Sequence, residues 1–127
     1  MSHSVNDLIY PDLSYTLVGI CFSVQNELGV YCKEKQYCNL LESKLKEKNI
    51  SFKRELILSN SGNIIDFLVD NKIILEIKAK RVITKDDYFQ TQRYLQESKI
   101  KLALLVNFRN KYLSPKRIIR IDTSPHN

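Results

Sequence analysis

Residues 73–79 read Ile-Ile-Leu-Glu-Ile-Lys-Ala, and no other stretch limits the fold as tightly. Ile73, Ile74, Leu75 and Ile77 are too continuous for a strand with one wet face, because such a strand alternates apolar and polar side chains. This segment is therefore expected at the centre of a sheet, covered on both sides. Glu76 and Lys78 interrupt it. Alternation puts them on the same face, about 7 Å apart along the strand, where packing alone has no use for an ionised pair.

The rest of the chain supplies the covering layers. Residues 1–13 read as a leader, with Pro11-Asp12-Leu13-Ser14 as a turn and Ser14 as the cap of a first helix. Leu17, Cys21, Val24 and Leu28 recur at helical spacing, and Gly29 supplies a stop. A second helix is expected from about Lys33 to Lys48, its apolar face carrying Tyr37, Leu40, Leu41 and Leu45. Phe52 to Leu58 reads as a strand ending in the turn-rich Ser59-Asn60-Ser61-Gly62-Asn63. Ile64 to Val69 and Lys72 to Ala79 form a hairpin across Asp70-Asn71. Thr84 caps a third helix that runs through Ser98, with Asp86 and Asp87 favourable in its first turn. Leu102 to Val106 is a further buried strand, and Ile118 to Ile121 a short last one. This order gives an α/β or α+β sandwich in which helices flank a mixed central sheet. It is a single domain over residues 14–122 with a tail at 123–127.

Asp66 lies inside the apolar run Ile64-Ile65-Asp66-Phe67-Leu68-Val69, and the hairpin can carry it beside Glu76. Two carboxylates suit the hard cations Mg²⁺ or Mn²⁺, which serve phosphodiester hydrolysis by polarising phosphate and activating water. A lysine beside them can orient that water and offset developing charge. Residue chemistry is equally compatible with an Asp66 that caps turn amides and a Glu76–Lys78 ion pair on an edge strand.

Composition narrows the setting. With 43% hydrophobic and 27% charged residues the chain is neither disordered nor membrane-spanning, since no apolar run approaches ~20 residues. No secretory signal opens it, and a cytoplasmic setting is expected. Cys21, Cys32 and Cys38 make no CxxC pair, and His3 and His126 sit near the ends, so free thiols are expected instead of a zinc site. Twenty Lys and Arg against 14 Asp and Glu give a formal charge of +6, which suits a polyanionic partner.

Asp66 followed by Glu76-Ile77-Lys78 resembles the D…(D/E)xK signature of the PD-(D/E)XK nuclease superfamily, and more closely its GxxExxY protein family. The resemblance continues through Asn26-Glu27-Leu28-Gly29, Glu34-Lys35-Gln36-Tyr37, Ile65-Asp66-Phe67, Glu76-Ile77-Lys78-Ala79 and Leu104-Leu105-Val106-Asn107-Phe108 to Lys116-Arg117. It implies a restriction-endonuclease-like core. It also implies metal ligands at Asp66 and Glu76, a further metal-associated carboxylate at Glu34, and a catalytic lysine at Lys78. Gln90 and Tyr94 match the QxxxY element of the RecB-like branch, and at i and i+4 they share a helix face. Two positions depart from the pattern. Tyr31 stands where the motif has glycine, and Asp87 where relatives often carry histidine.

The resemblance implies a Mg²⁺- or Mn²⁺-dependent nuclease acting on DNA more than RNA. The alternatives are a catalytically inactive relative that binds nucleic acid, or one that binds a protein partner. Lys80 and Arg81 after the ExK strand, and Arg109, Lys111, Lys116, Arg117 and Arg120 with Tyr112 in the last segment, could form a strip for phosphates. A chain this short raises the expectation of a homodimer around a duplex.

Overall fold

A computed structural model describes residues 9–122 in the order α1 (Pro11–Leu28), α2 (Glu34–Glu47), β1 (Phe52–Ile57), β2 (Ile64–Val69), β3 (Ile73–Lys78), α3 (Lys85–Ser98), β4 (Leu102–Asn107) and β5 (Lys116–Ile119). Most of the expected leader, the 123–127 tail and both histidines lie outside the described residues. The strands form one mixed sheet in the order β1-β2-β3-β4-β5. Only β3 and β4 are parallel, and α3 makes the crossover that parallel neighbours require.

The Ile73–Lys78 strand is central, as its continuous apolar run demands. Phe67, Val69, Ile73, Leu75, Ile77, Leu102, Leu104 and Val106 pack under Leu17, Ile20, Cys21 and Val24 of α1 and Tyr37, Leu41 and Leu45 of α2. The opposite face is thinner, with Ile65, Leu68, Ile74 and Ala103 meeting Tyr94 and Leu95 of α3. Asp70 and Asn71 both have φ 53° and are the central residues of a turn closed by Lys72 N–H on the Val69 carbonyl at 2.9 Å, so three residues link the Val69–Ile73 pair.

The start of α1 and both ends of β5 differ from expectation by two residues or more, and the other ends by at most one. Helix α1 starts at Pro11 and not after Ser14, because proline is pre-set for the first helical position. Ser14 is already inside the helix, its N–H on the Tyr10 carbonyl at 3.0 Å and its hydroxyl on the Pro11 carbonyl at 3.1 Å. Strand β5 starts two residues earlier than Ile118 and ends at Ile119. Beyond it, α3 takes over the backbone: Gln92 Oε1 accepts from Ile121 N–H at 2.8 Å, and Gln96 Nε2 donates to the Ile121 carbonyl at 2.6 Å. No helix among the described residues is long and apolar enough to cross a membrane.

Candidate active site

The β2–β3 ladder pairs Val69 with Ile73, Leu68 with Ile74 and Phe67 with Leu75, and then stops. The next pair would be Asp66 and Glu76. Instead, Asp66 N–H donates to Glu76 Oε1 at 2.9 Å, and Ile77 N–H donates to Asp66 Oδ2 at 2.8 Å. Side-chain carboxylates thus satisfy the amides that a separating ladder would orphan. The disturbance reaches β1, where Glu55 stands opposite Asp66. Arg54 pairs with Phe67 and Leu56 with Ile65, while Glu55 between them is left-handed at φ 54°. A non-glycine residue there costs about 1–2 kcal/mol. The alternation of β2 also slips at Asp66, since Ile65 and Phe67 join opposite cores.

Glu76 is 3% exposed. Burial, then repulsion from Asp66, pushes its carboxyl up to about 8, against opposing hydrogen bonding from Asp66 N–H and the Lys78 charge. Burial also raises Asp66, with Glu34 adding to the effect and the Ile77 N–H and Lys78 opposing it. Each carboxylate is bonded to a backbone amide of the other's strand, which holds the two side chains close together. Like charges held this close in a dry site retain a proton between them.

Lys78 projects to the α3 face. Its Nζ donates to Gln90 Oε1 at 3.1 Å and lies 3.9 Å from Asp87 Oδ1. Asp87 is itself fixed, because its Oδ2 accepts from Thr84 N–H at 2.8 Å and from Lys80 Nζ at 2.6 Å. Burial works against its ionised form, but Lys80 and Thr84 outweigh it and hold the carboxyl below its ordinary range. Tyr94, one turn beyond Gln90, is buried, and its hydroxyl is raised by burial and then by the charges of Glu76 and Asp66. The expected set Asp66, Glu76, Lys78, Gln90 and Tyr94 therefore converges.

Glu34 reaches the same place from the other side. It opens α2 and lines a cleft of about 320 Å³ with Lys35, Cys38, Arg54, Glu55 and Asp66. Tyr37 positions this entrance: its hydroxyl donates to the Gly29 carbonyl at 2.6 Å and accepts from Cys32 N–H at 3.2 Å, while its ring stacks on Phe108 at 4.4 Å. Gly29 turns the chain at φ 77°, ψ −159°, the glycine conformation that Tyr31 cannot supply. Larger concavities lie between α1 and α2 (about 570 Å³) and outside α3 (about 510 Å³), but neither is lined by Asp66 or Glu76.

The expected phosphate strip divides. Arg81, Arg109 and Lys116 are exposed at the end of the sheet where β3 and β4 finish, with Arg109 over the Tyr31 ring at 5.1 Å. Lys80 is there too but engaged by Asp87. Arg117 is a correction: its guanidinium donates to Ser14 Oγ at 2.6 Å and to the Ile9 carbonyl at 2.7 Å, clamping α1 to β5. Arg120 bonds the Lys99 carbonyl at the opposite end of the sheet.

Two residues that the sequence reading gave no role help build the site. Asn107 closes β4, where it accepts from Lys80 N–H at 3.1 Å and donates to the Lys80 carbonyl at 2.7 Å, fixing the chain just past Lys78. Its signals in the sequence are an amide ending a wholly apolar strand and its place in the resembling segment Leu104–Phe108. Arg54 lines the Asp66 cleft, and nothing in Lys53-Arg54-Glu55 sets it apart from a solvated strand face.

Among the described residues no three His, Cys, Asp or Glu side chains converge as a ready-made ion cage. The donor chemistry nonetheless fits a hard divalent cation, since Mg²⁺ is commonly held by one or two carboxylates with water and phosphate completing its shell. A buried carboxyl that keeps its proton, as Glu76 does, can exchange it for such a cation. No curated protein and no solved structure matches the chain. The family model described as the PD-(D/E)XK nuclease superfamily, however, matches residues 11–121. With that match spanning nearly the whole chain, over a mixed sheet whose opened hairpin presents Asp66, Glu76 and Lys78, the protein belongs to the PD-(D/E)XK nuclease superfamily.

Proposed function

We propose that the chain is a Mg²⁺- or Mn²⁺-dependent nuclease that hydrolyses phosphodiester bonds, with DNA preferred to RNA. Superfamily membership implies nucleic-acid binding, and its nucleases generally use divalent metals. The observation that carries the reading is the Asp66–Glu76 pair at the mouth of the hairpin, beside a Lys78 held by Gln90. A divalent cation on those carboxylates would polarise the phosphate and ease deprotonation of the attacking water. Water oxygen bonds to phosphorus, one P–O ester bond breaks, and the products are a phosphate monoester and a sugar hydroxyl. The Lys78 side chain is placed to orient the water and offset phosphate charge. Gln90 and Tyr94 hold the α3 side of the pocket, and Glu34 faces it from α2.

The Glu34-to-Tyr37 and Gln90-to-Tyr94 spacings support placing the chain with GxxExxY proteins in the RecB-like branch. Three unpaired cysteines suit a cytoplasmic setting. A second copy would let so small a protein hold both strands of a duplex, and light scattering with duplex present tests this directly.

Purified protein with Mg²⁺ or Mn²⁺ should cleave DNA. Glu76→Ala and Lys78→Ala should each lower the rate by roughly 10²–10³-fold. Equal residual cleavage by wild type and both variants would sink the catalytic assignment. Tyr31 in the motif's glycine position favours a second reading, a non-catalytic nucleic-acid-binding protein. Salt-dependent DNA binding with neither cleavage nor calorimetric metal uptake would select it.

A further inference from the structure

We propose that the cleft between the start of α2 and strands β1–β2 is a phosphate-binding subsite anchored by Arg54, an inference that rests on the nuclease reading above. The cleft shares Asp66 with the active site and is also lined by Glu34, Lys35, Cys38, Arg54 and Glu55. Arg54 is preorganised. Its side chain is 17% exposed, its Nη1 donates to Asn39 Oδ1 at 2.8 Å with Glu42 Oε1 at 3.6 Å, and its guanidinium lies 5.8 Å from the Phe67 ring centre. Among the described residues those contacts engage one nitrogen, and neither Asp66 nor Glu34 forms an ion pair with it. A guanidinium pinned by one corner presents its other donors as a rigid fork, which matches phosphate.

Glu55, next in sequence, is left-handed and stands opposite Asp66 at the cleft. Three carboxylates, Glu34, Glu55 and Asp66, stand there against two cations, Lys35 and Arg54. An anion alone is disfavoured by that balance. Phosphate should therefore enter together with a divalent cation, its position fixed by Arg54 on the side away from Lys78.

Anisotropy titration of a fluorescent DNA duplex tests this, with Mg²⁺ present and every protein carrying Lys78→Ala so that binding is read without turnover. Adding Arg54→Ala should weaken Kd by about 10- to 100-fold and lower the log–log salt slope by about 0.9. Arg54→Lys should restore the slope but only part of the affinity, because it keeps charge without the fork. Asn39→Ala should fall between, and exposed Lys53→Ala should match the parent. With chelator in place of Mg²⁺, the Arg54 effect should shrink.

If Arg54→Ala binds like Lys53→Ala with an unchanged slope while the otherwise wild-type enzyme cleaves DNA, the subsite is wrong and the nuclease reading stands. A wild-type protein that neither binds nor cleaves removes both. Should Arg54→Ala fail to fold, parental affinity for both Arg54→Lys and Asn39→Ala overturns the subsite.

Discussion

A carboxyl group that is 3% exposed and faces the charge of Asp66 makes Glu76 the residue whose ionisation is most strongly displaced by folding. Its ordinary value of 4.5 applies to the unfolded chain, and in the fold it is raised to about 8. Between those values the folded protein keeps a proton that the unfolded chain has released. Without divalent metal, stability should therefore fall as pH rises from about 4.5 to about 8, and be greatest on the acid side. Asp66 shifts in the same direction and reinforces the trend. Asp87 is lowered, so its contribution is lost only under stronger acid, outside this window. Urea midpoints measured in chelator from about pH 5 to about pH 9 should decline with pH for wild type. They should decline less steeply for Glu76→Gln, where only the Asp66 contribution is left, and a wild-type midpoint that climbs with pH would contradict the assignment. Metal uptake should release a proton, and calorimetry in two buffers of different ionisation enthalpy would reveal it.

At the scale of elements, the loop from Gly29 to Lys33 decides whether Glu34 reaches Asp66. An added Cβ at Gly29 meets nothing within 4 Å, yet the residue sits at φ +77°. Gly29→Ala should therefore cost about 1–3 kcal/mol by backbone strain alone. Tyr37→Phe keeps the Phe108 stack but strips two hydrogen bonds from the loop, for about 1–3 kcal/mol. Chemical denaturation reads both, and an unchanged midpoint would mean that the loop is not held as described. Periodicity made much of this fold legible. Continuous Ile73–Ile77 could only be central, Asp70-Asn71 could only be a tight turn, and Thr84 announced the start of α3. What stayed hidden depends on partners distant in the chain. Pro11 reads as a turn in the sequence because only packing shows a helix beginning there. Arg117 looked like part of a basic strip because its partners lie more than a hundred residues away. Asp66, Glu76 and Lys78 stand out in the sequence as charges out of place, but the opening of the ladder that puts each carboxylate on an amide of the other strand does not.

Over the whole molecule, the +6 charge does not by itself point to a binding face, because cations occupy both ends of the sheet. Arg81, Arg109 and Lys116 sit where β3 and β4 finish, at the same end of the sheet as the carboxyl pair. Lys72, Lys101 and Arg120 sit where those strands begin. The six residues of β4 separate the ends by roughly 20 Å, beyond the ~8 Å screening length at physiological salt. A duplex seated on Asp66 and Glu76 should therefore engage the first group alone. Each phosphate contact removed should lower the salt slope of binding by about 0.9. Arg109→Ala and Lys116→Ala should each do so with a similar loss of affinity for every sequence tested, because phosphate contacts carry no base information. Lys101→Ala, also exposed and also removing one positive charge, should leave the slope unchanged. Equal effects at the two ends would mean that DNA follows net charge and not the opened hairpin, and the active edge would have to be sought elsewhere on the sheet.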